Sequence, residues 1–193
     1  WKLADALSKA EGPTHMAVIL AASEQTHRNR MYDQYKAHRP PPPEVLVPEF
    51  PLIRVATRAF WIPCNEEDGL EADDIIACYV TAAKAAGWRV TIVSSDKDLM
   101  QLIDEDVGID MHDTMNDRRI GREQVIEKFG VGPEKVGDVL ALMGDSVDNV
   151  PGVPGIGPKT ATQLIQEYGS VECVLAAVEE IKKPKLKQNL IEF

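Results

Sequence analysis

The stretch Glu71-Ala72-Asp73-Asp74-Ile75-Ile76-Ala77-Cys78-Tyr79-Val80-Thr81-Ala82-Ala83-Lys84-Ala85-Ala86-Gly87-Trp88-Arg89-Val90-Thr91-Ile92-Val93-Ser94-Ser95-Asp96-Lys97-Asp98 decides the fold. Glu71 to Ala86 reads as a strong helix, and Gly87 supplies the residue that closes a helix in the left-handed conformation. Trp88 to Val93 then reads as a short strand buried in a parallel sheet. Ligands in such sheets sit beyond the carboxyl ends of the strands, which is where Ser94-Ser95-Asp96 stands.

Working outward, Met16 to Ala22 is a second continuous apolar run, too short for a typical helix and placed like another buried parallel strand. Before it, Leu3, Ala6, Leu7 and Ala10 fall at helical spacing until Gly12-Pro13 stops them. The chain therefore opens inside an element, and a preceding segment is expected. Leu52, Val55, Ala56, Ala59 and Phe60 mark one face of a helix that begins at Pro51 and ends before Trp61-Ile62-Pro63-Cys64. Val107 to His112 reads as a strand and Thr114 to Arg119 as a polar turn. Helices are then predicted over Arg122–Phe129 with Gly130 as cap, Pro133–Met143, Pro158–Tyr168 and Val171–Val178. Pro43 to Pro48 and Lys182 to Lys187 read as exposed segments. Helices alternating with short strands predict an α/β core of parallel sheet wrapped by helices over 1–120, followed by a helical subdomain over 121–193.

The 193 residues suffice for one sizeable core, and 44% apolar content argues against disorder. No apolar run reaches the ~18 residues of a membrane span, and the N-terminus lacks the basic start of a signal peptide. A cytoplasmic protein without membrane contact is the expectation. Cys64, Cys78 and Cys173 are odd in number and widely spaced, which points to neither a disulfide framework nor a zinc site. The formal charge of −10 runs against a uniformly basic nucleic-acid surface. Residues 27–39 nevertheless hold four fixed cations, Arg28, Arg30, Lys36 and Arg39, against the single acid Asp33. Divalent ions would reverse the sign of an acidic cleft locally.

The acids fall in three runs: Glu71-Ala72-Asp73-Asp74, Asp96-Lys97-Asp98 and Gly144-Asp145-Ser146-Val147-Asp148-Asn149. Glu71 and Asp74 share a face of a first helical turn, where acids also favour the macrodipole, and Asp96 also suits a helix N-cap. Asp145 and Asp148 lie in a loop directly before a glycine-rich turn. Oxygen ligands without His or Cys favour Mg²⁺ or Mn²⁺, and two such ions about 3.5 to 4 Å apart suit phosphodiester hydrolysis.

Gly152, Gly155 and Gly157 form a turn through which backbone N–H groups can approach a phosphate, with Pro158 opening a helix and Lys159 adding a charge. Such contacts are blind to base identity. In the basic stretch Tyr32 and Tyr35 can stack on bases while Lys36 and Arg39 meet phosphates, and Pro40-Pro41-Pro42-Pro43 stiffens the exit.

Tyr35-Lys36-Ala37-His38-Arg39-Pro40, Glu71-Ala72-Asp73-Asp74, Ser94-Ser95-Asp96-Lys97-Asp98-Leu99-Met100 and Gly144-Asp145-Ser146-Val147-Asp148-Asn149-Val150-Pro151-Gly152-Val153-Pro154-Gly155-Ile156-Gly157 together resemble the 5′ nuclease domain of bacterial DNA polymerase I, a relative of flap endonucleases. The resemblance covers nearly the whole chain. It implies a PIN-like core, a helical arch at about 24–46, and a helix-hairpin-helix at about 149–169 that holds duplex DNA and binds K⁺. It further implies removal of 5′ flaps and RNA primers in replication and repair, in the bacterial cytoplasm at the nucleoid. The implied substrates are flapped or nicked DNA and RNA-DNA primers, acted on by a monomeric domain with a polymerase module beyond it.

Carried over, Glu71, Asp73, Asp74, Asp96, Asp98, Asp145 and Asp148 would hold the metals. Lys36 and Arg39 would act on the phosphate, while Arg28, Arg30, Tyr35, Gly152, Gly155, Gly157 and Lys159 would hold DNA. Two features depart from the pattern. The family's opening strand, ending in Asp, has no counterpart here, and Ala21 stands where the next strand would end in Asp. A methyl group cannot ligate a metal, so weakened or absent catalysis is expected of this chain. A flap- or junction-binding module that does not cut, and a PIN-like ribonuclease, are the rival readings.

Overall fold

The computed structural model describes residues 12–23 and 25–193, so the helix expected over the first eleven positions lies outside the described residues. The chain forms two compact units, one running to Tyr79 and the other from Val80 to Phe193.

In the first unit, β1 (Val18–Ile19) pairs in parallel with β2 (Cys64–Asn65), Val18 opposite Cys64. The apolar run from Met16 yields only this two-residue strand, and its side chains are half-buried or exposed. The basic stretch contributes a five-residue helix, α1 (His27–Met31), followed by turns, in place of a continuous helical arch. α2 spans Glu49–Ala59, starting two residues before the predicted Pro51, and its apolar stripe faces outward: Leu52 is 55% and Val55 61% exposed. Periodicity reports that a stripe exists and not what covers it. β2 itself was not foreseen, because two residues carry too little pattern.

Helix α3 (Ala72–Ala85) runs from the first unit into the second, and Gly87 follows with φ +72°. In the second unit β3 (Val90–Val93) pairs in parallel with β4 (Ile109–Asp113), which pairs antiparallel with β5 (Arg118–Ile120). The predicted polar turn over 114–119 therefore ends in a strand. Its register sets Met111 against Ile120 on the buried face and leaves Arg118 and Arg119 in solvent. Asp113 closes the hairpin, accepting the Met115 backbone N–H at 3.0 Å.

Next come α4 (Arg122–Phe129), a 3₁₀ turn over Pro133–Lys135, α5 (Val136–Met143), α6 (Pro158–Tyr168), α7 (Val171–Ala176) and α8 (Pro184–Glu192). The lysine-rich segment read as exposed runs into a helix, with Pro184 in its first turn and Leu190 only 3% exposed. Ile109, Met111, Val125, Val136, Val139 and Leu142 are essentially inaccessible to solvent and form the centre of this unit. Between α5 and α6 a two-strand ribbon, β6 (Gly144–Asp145) and β7 (Val150–Pro151), turns the chain back on itself.

Candidate functional site

The basic stretch folds onto the acids at the head of α3. Thr26 N–H donates to Asn29 Oδ1 at 2.9 Å, and Asn29 Nδ2 donates to the Tyr35 carbonyl at 3.2 Å, which curls residues 26–36 into a compact loop. From that loop Tyr35 Oη and Lys36 Nζ both donate to Glu71 Oε2, at 3.1 and 2.7 Å. Arg28 places its fork on Asp74, with Nη1 to Oδ2 and Nη2 to Oδ1 both at 2.7 Å. Asp74 Oδ2 also accepts the Glu71 backbone N–H at 3.0 Å. The Arg28 hydrogen bonds hold the Asp74 carboxyl below its ordinary value, against the opposing effect of burial. Lys36 has φ +56°, in the left-handed region that costs a non-glycine residue about 1 kcal/mol.

These contacts revise part of the nucleic-acid expectation. Tyr35 is only 7% exposed and its hydroxyl is on Glu71, so it positions the loop and offers no face for a base to stack on. Arg28 commits both terminal nitrogens to Asp74. Of the arginines, lysine and tyrosines of the stretch, Arg30, Tyr32 and Arg39 are exposed. Asp73 is half-buried in the first turn of α3. Ala21 is exposed just beyond β1, and its carbonyl accepts from Arg54 Nη2 at 3.1 Å.

In the second unit the carboxyl end of β3 leads into a 3₁₀ helix over Lys97–Leu102, capped by Asp96, whose side chain accepts the Asp98 N–H at 2.9 Å. Asp96 thus does serve as an N-cap. Leu99 and Met100, 3% and 2% exposed, anchor this turn in the core. Lys97 Nζ reaches Asp98 Oδ1 at 3.2 Å and also donates to Asp145 Oδ2. Burial pushes the Asp98 carboxyl up. Burial would do the same to Asp145, but the Lys97 hydrogen bond and the Val147 N–H at 2.7 Å hold it below its ordinary value. Asp148 and Asn149 lie half-buried in the β6–β7 turn, where Asn149 has φ +59°.

The hairpin glycines divide by function. A Cβ on Gly152 would lie 2.2 Å from the Met143 carbonyl carbon, and one on Gly144 only 2.3 Å from the Gly152 nitrogen. Gly152 is therefore demanded by backbone packing within the ribbon. Gly155 has φ +78°, and Gly157 has open space around its Cβ position immediately before Pro158. Gly155, Gly157 and Lys159 are exposed.

Among the described residues no three His, Cys, Asp or Glu side chains form a ready metal cluster. The acids are gathered instead around ammonium and guanidinium groups of the chain itself. Hard oxygen donors collected about a positive charge fit a hard divalent ion, with Lys97 Nζ standing in for a cation between Asp98 and Asp145. Sequence reading missed Lys97 and the Arg28–Asp74 pair. A cation inside an acidic run was the available signal for Lys97.

Residues 2–130 match the family model of the 5′-3′ exonuclease N-terminal resolvase-like domain, and residues 131–193 match that of the 5′-3′ exonuclease C-terminal SAM fold. The chain belongs to the 5′-3′ exonuclease family. It is 56% identical, over 99% of its length, to a DNA polymerase I of Rhizobium leguminosarum, of which it spans 19%. Over 97% of its length it is 42% identical to a 5′-3′ exonuclease of Aquifex aeolicus, of which it spans 65%. A solved structure of the bacteriophage T5 D15 flap endonuclease, a complex with DNA and metal ions, superposes with a TM-score of 0.81 at 24% identity, covering 96% of this chain and 72% of that one. That likeness bears on the fold, an α/β core followed by a helical region, as the sequence predicts.

Proposed function

We propose that this chain hydrolyses phosphodiester bonds at 5′ flaps, nicks and RNA primers, using two divalent ions, Mg²⁺ or Mn²⁺. The observation that carries this reading is that the predicted acids are collected around positive charge: Glu71 and Asp74 around Lys36 and Arg28, and Asp98 and Asp145 around Lys97. Glu71, Asp73 and Asp74 in one unit, and Asp96, Asp98, Asp145 and Asp148 in the other, would hold the ions. Bound there, such ions supply Lewis acidity and lower the pKa of a water. Lys36 and Arg39, with Arg30, meet the phosphates of the 5′ strand, Lys36 leaving Glu71 to do so. Gly155, Gly157 and Lys159 hold the duplex backbone at the hairpin, where backbone N–H groups and the ammonium would meet phosphate and carbonyl oxygens would hold K⁺.

In this reading residues 1–120 act as the catalytic core and 121–193 as the DNA-binding subdomain, monomeric and joined to a polymerase module in the bacterial cytoplasm. No helix among the described residues is long and apolar enough to cross a membrane. Ala21 impairs turnover, because its methyl leaves a ligand position empty. The test is Mg²⁺-dependent incision of a 5′-flap duplex by the chain and by its Ala21→Asp variant. Incision that appears or rises in the variant, and stops with chelator, supports the reading; no incision by either with any divalent ion refutes it. Ala21 also favours a second reading, a flap-binding module that does not cut, for which flap affinity would be indifferent to chelator and Asp at 21 would yield no product.

A further inference from the structure

Lys97 has no part in the mechanism above, yet it bridges two carboxylates of the second unit's acidic group. Its backbone is fixed: Asp96 caps its turn, and the adjoining Leu99 and Met100 are buried. Its side chain is 29% exposed and ends on Asp98, its neighbour in sequence, and Asp145, 48 positions on. Two carboxylates so placed repel each other when nothing positive lies between them. A lysine head is a point charge on a flexible stem, so it can leave without disturbing the backbone that carries it.

We propose that Lys97 is a built-in counter-ion, a positioning residue whose ammonium holds Asp98 and Asp145 together and moves off them when a divalent ion binds. This rests on the reading that both carboxylates ligate metal. A divalent ion brings twice the charge of the ammonium and prefers the same hard oxygens, so it wins the exchange at sufficient concentration. Until then Lys97 lowers the apparent affinity, because the fraction of molecules ready to bind is reduced by the bridge.

The experiment titrates Mg²⁺ by calorimetry, without nucleic acid, into the whole chain and its Lys97→Met variant. In parallel, acetylation of Lys97 in the unmutated chain is followed by mass spectrometry with and without Mg²⁺. Lys84, which pairs with Asp104 at 2.6 Å, is the internal reference. Removing a bridge of about 1 kcal/mol should tighten Mg²⁺ binding about fivefold. Lys97 should become severalfold more reactive when Mg²⁺ saturates, with Lys84 unchanged. If Mg²⁺ binds but Lys97 stays protected, the inference is overturned and the metal reading stands; tighter binding in the variant without that gain in reactivity marks a remote charge effect and overturns it equally. If Mg²⁺ binds neither protein, the metal reading itself falls.

Discussion

Replacing Arg28 by Met keeps most of the side-chain stem and deletes the fork that grips Asp74. The two bonds lost are charge-assisted, both at 2.7 Å, between side chains 36% and 22% exposed. Exposed ion pairs contribute about 0.5 kcal/mol and breaking a buried one costs about 3 to 5, so this half-buried bidentate pair should fall near 1.5 to 2 kcal/mol. For a chain of this size each kcal/mol lowers Tm by about 2 to 4 °C, giving a fall of about 3 to 8 °C at neutral pH.

The pH dependence gives the sharper check. Asp74's folded pKa is depressed, so its stabilisation is present above the ordinary carboxylate pKa and is lost as pH falls through the folded value. The gap between the two proteins should therefore be full at about pH 7 and narrow toward about pH 3. Urea unfolding in the presence of chelator, followed by far-UV circular dichroism, measures it at each pH, and Asp74→Asn alone and in combination completes a double-mutant cycle. A gap below about 0.5 kcal/mol at neutral pH, or one unchanged on acidification, would refute the reasoning.

Lys36→Ala and Lys36→Gly both lose the 2.7 Å bond to Glu71, but glycine also relieves the φ of +56°; Tm should place the glycine variant above the alanine one by about 1 kcal/mol. Gly152→Ala drives a methyl into the Met143 backbone and should cost about 2 to 3 kcal/mol by urea unfolding. Gly157→Ala, with φ −99° and open space around it, loses only a helix N-cap preference and should cost about 1 kcal/mol or less while weakening binding to a flap duplex in a gel-shift titration.

What could be read from the sequence was what sequence neighbours decide. α4 and α6 have the predicted bounds because each is closed by a residue next to it: Gly130 with φ +72° after α4, Pro158 at the start of α6. β5 and α8 were missed because their polar faces dominate their composition, although Ile120 and Leu190 are buried. The acids could be recognised as residue types at suggestive spacings, but their partners could not. Arg28 lies 46 positions from Asp74, Lys36 35 from Glu71, and Lys97 48 from Asp145. No local propensity encodes such pairs; they follow from where the fold delivers each segment.

In a chain of formal charge −10, carboxylates brought together repel one another, and cations of the chain itself offset that repulsion. The kind of counter-ion then decides how readily each acid can change partner. Asp74 is held at both oxygens by a planar guanidinium, a grip that must break two bonds at once. Glu71 and Asp145 each pair with one ammonium at the end of a four-carbon stem, beside the Tyr35 hydroxyl and the Val147 N–H respectively, and that ammonium can rotate away while the neutral donor stays. The charged partners of Glu71 and Asp145 are therefore easier to exchange than the Arg28 fork on Asp74. The identity of the cation beside each carboxylate, more than the number of carboxylates, sets how readily each acid would exchange its partner for an ion.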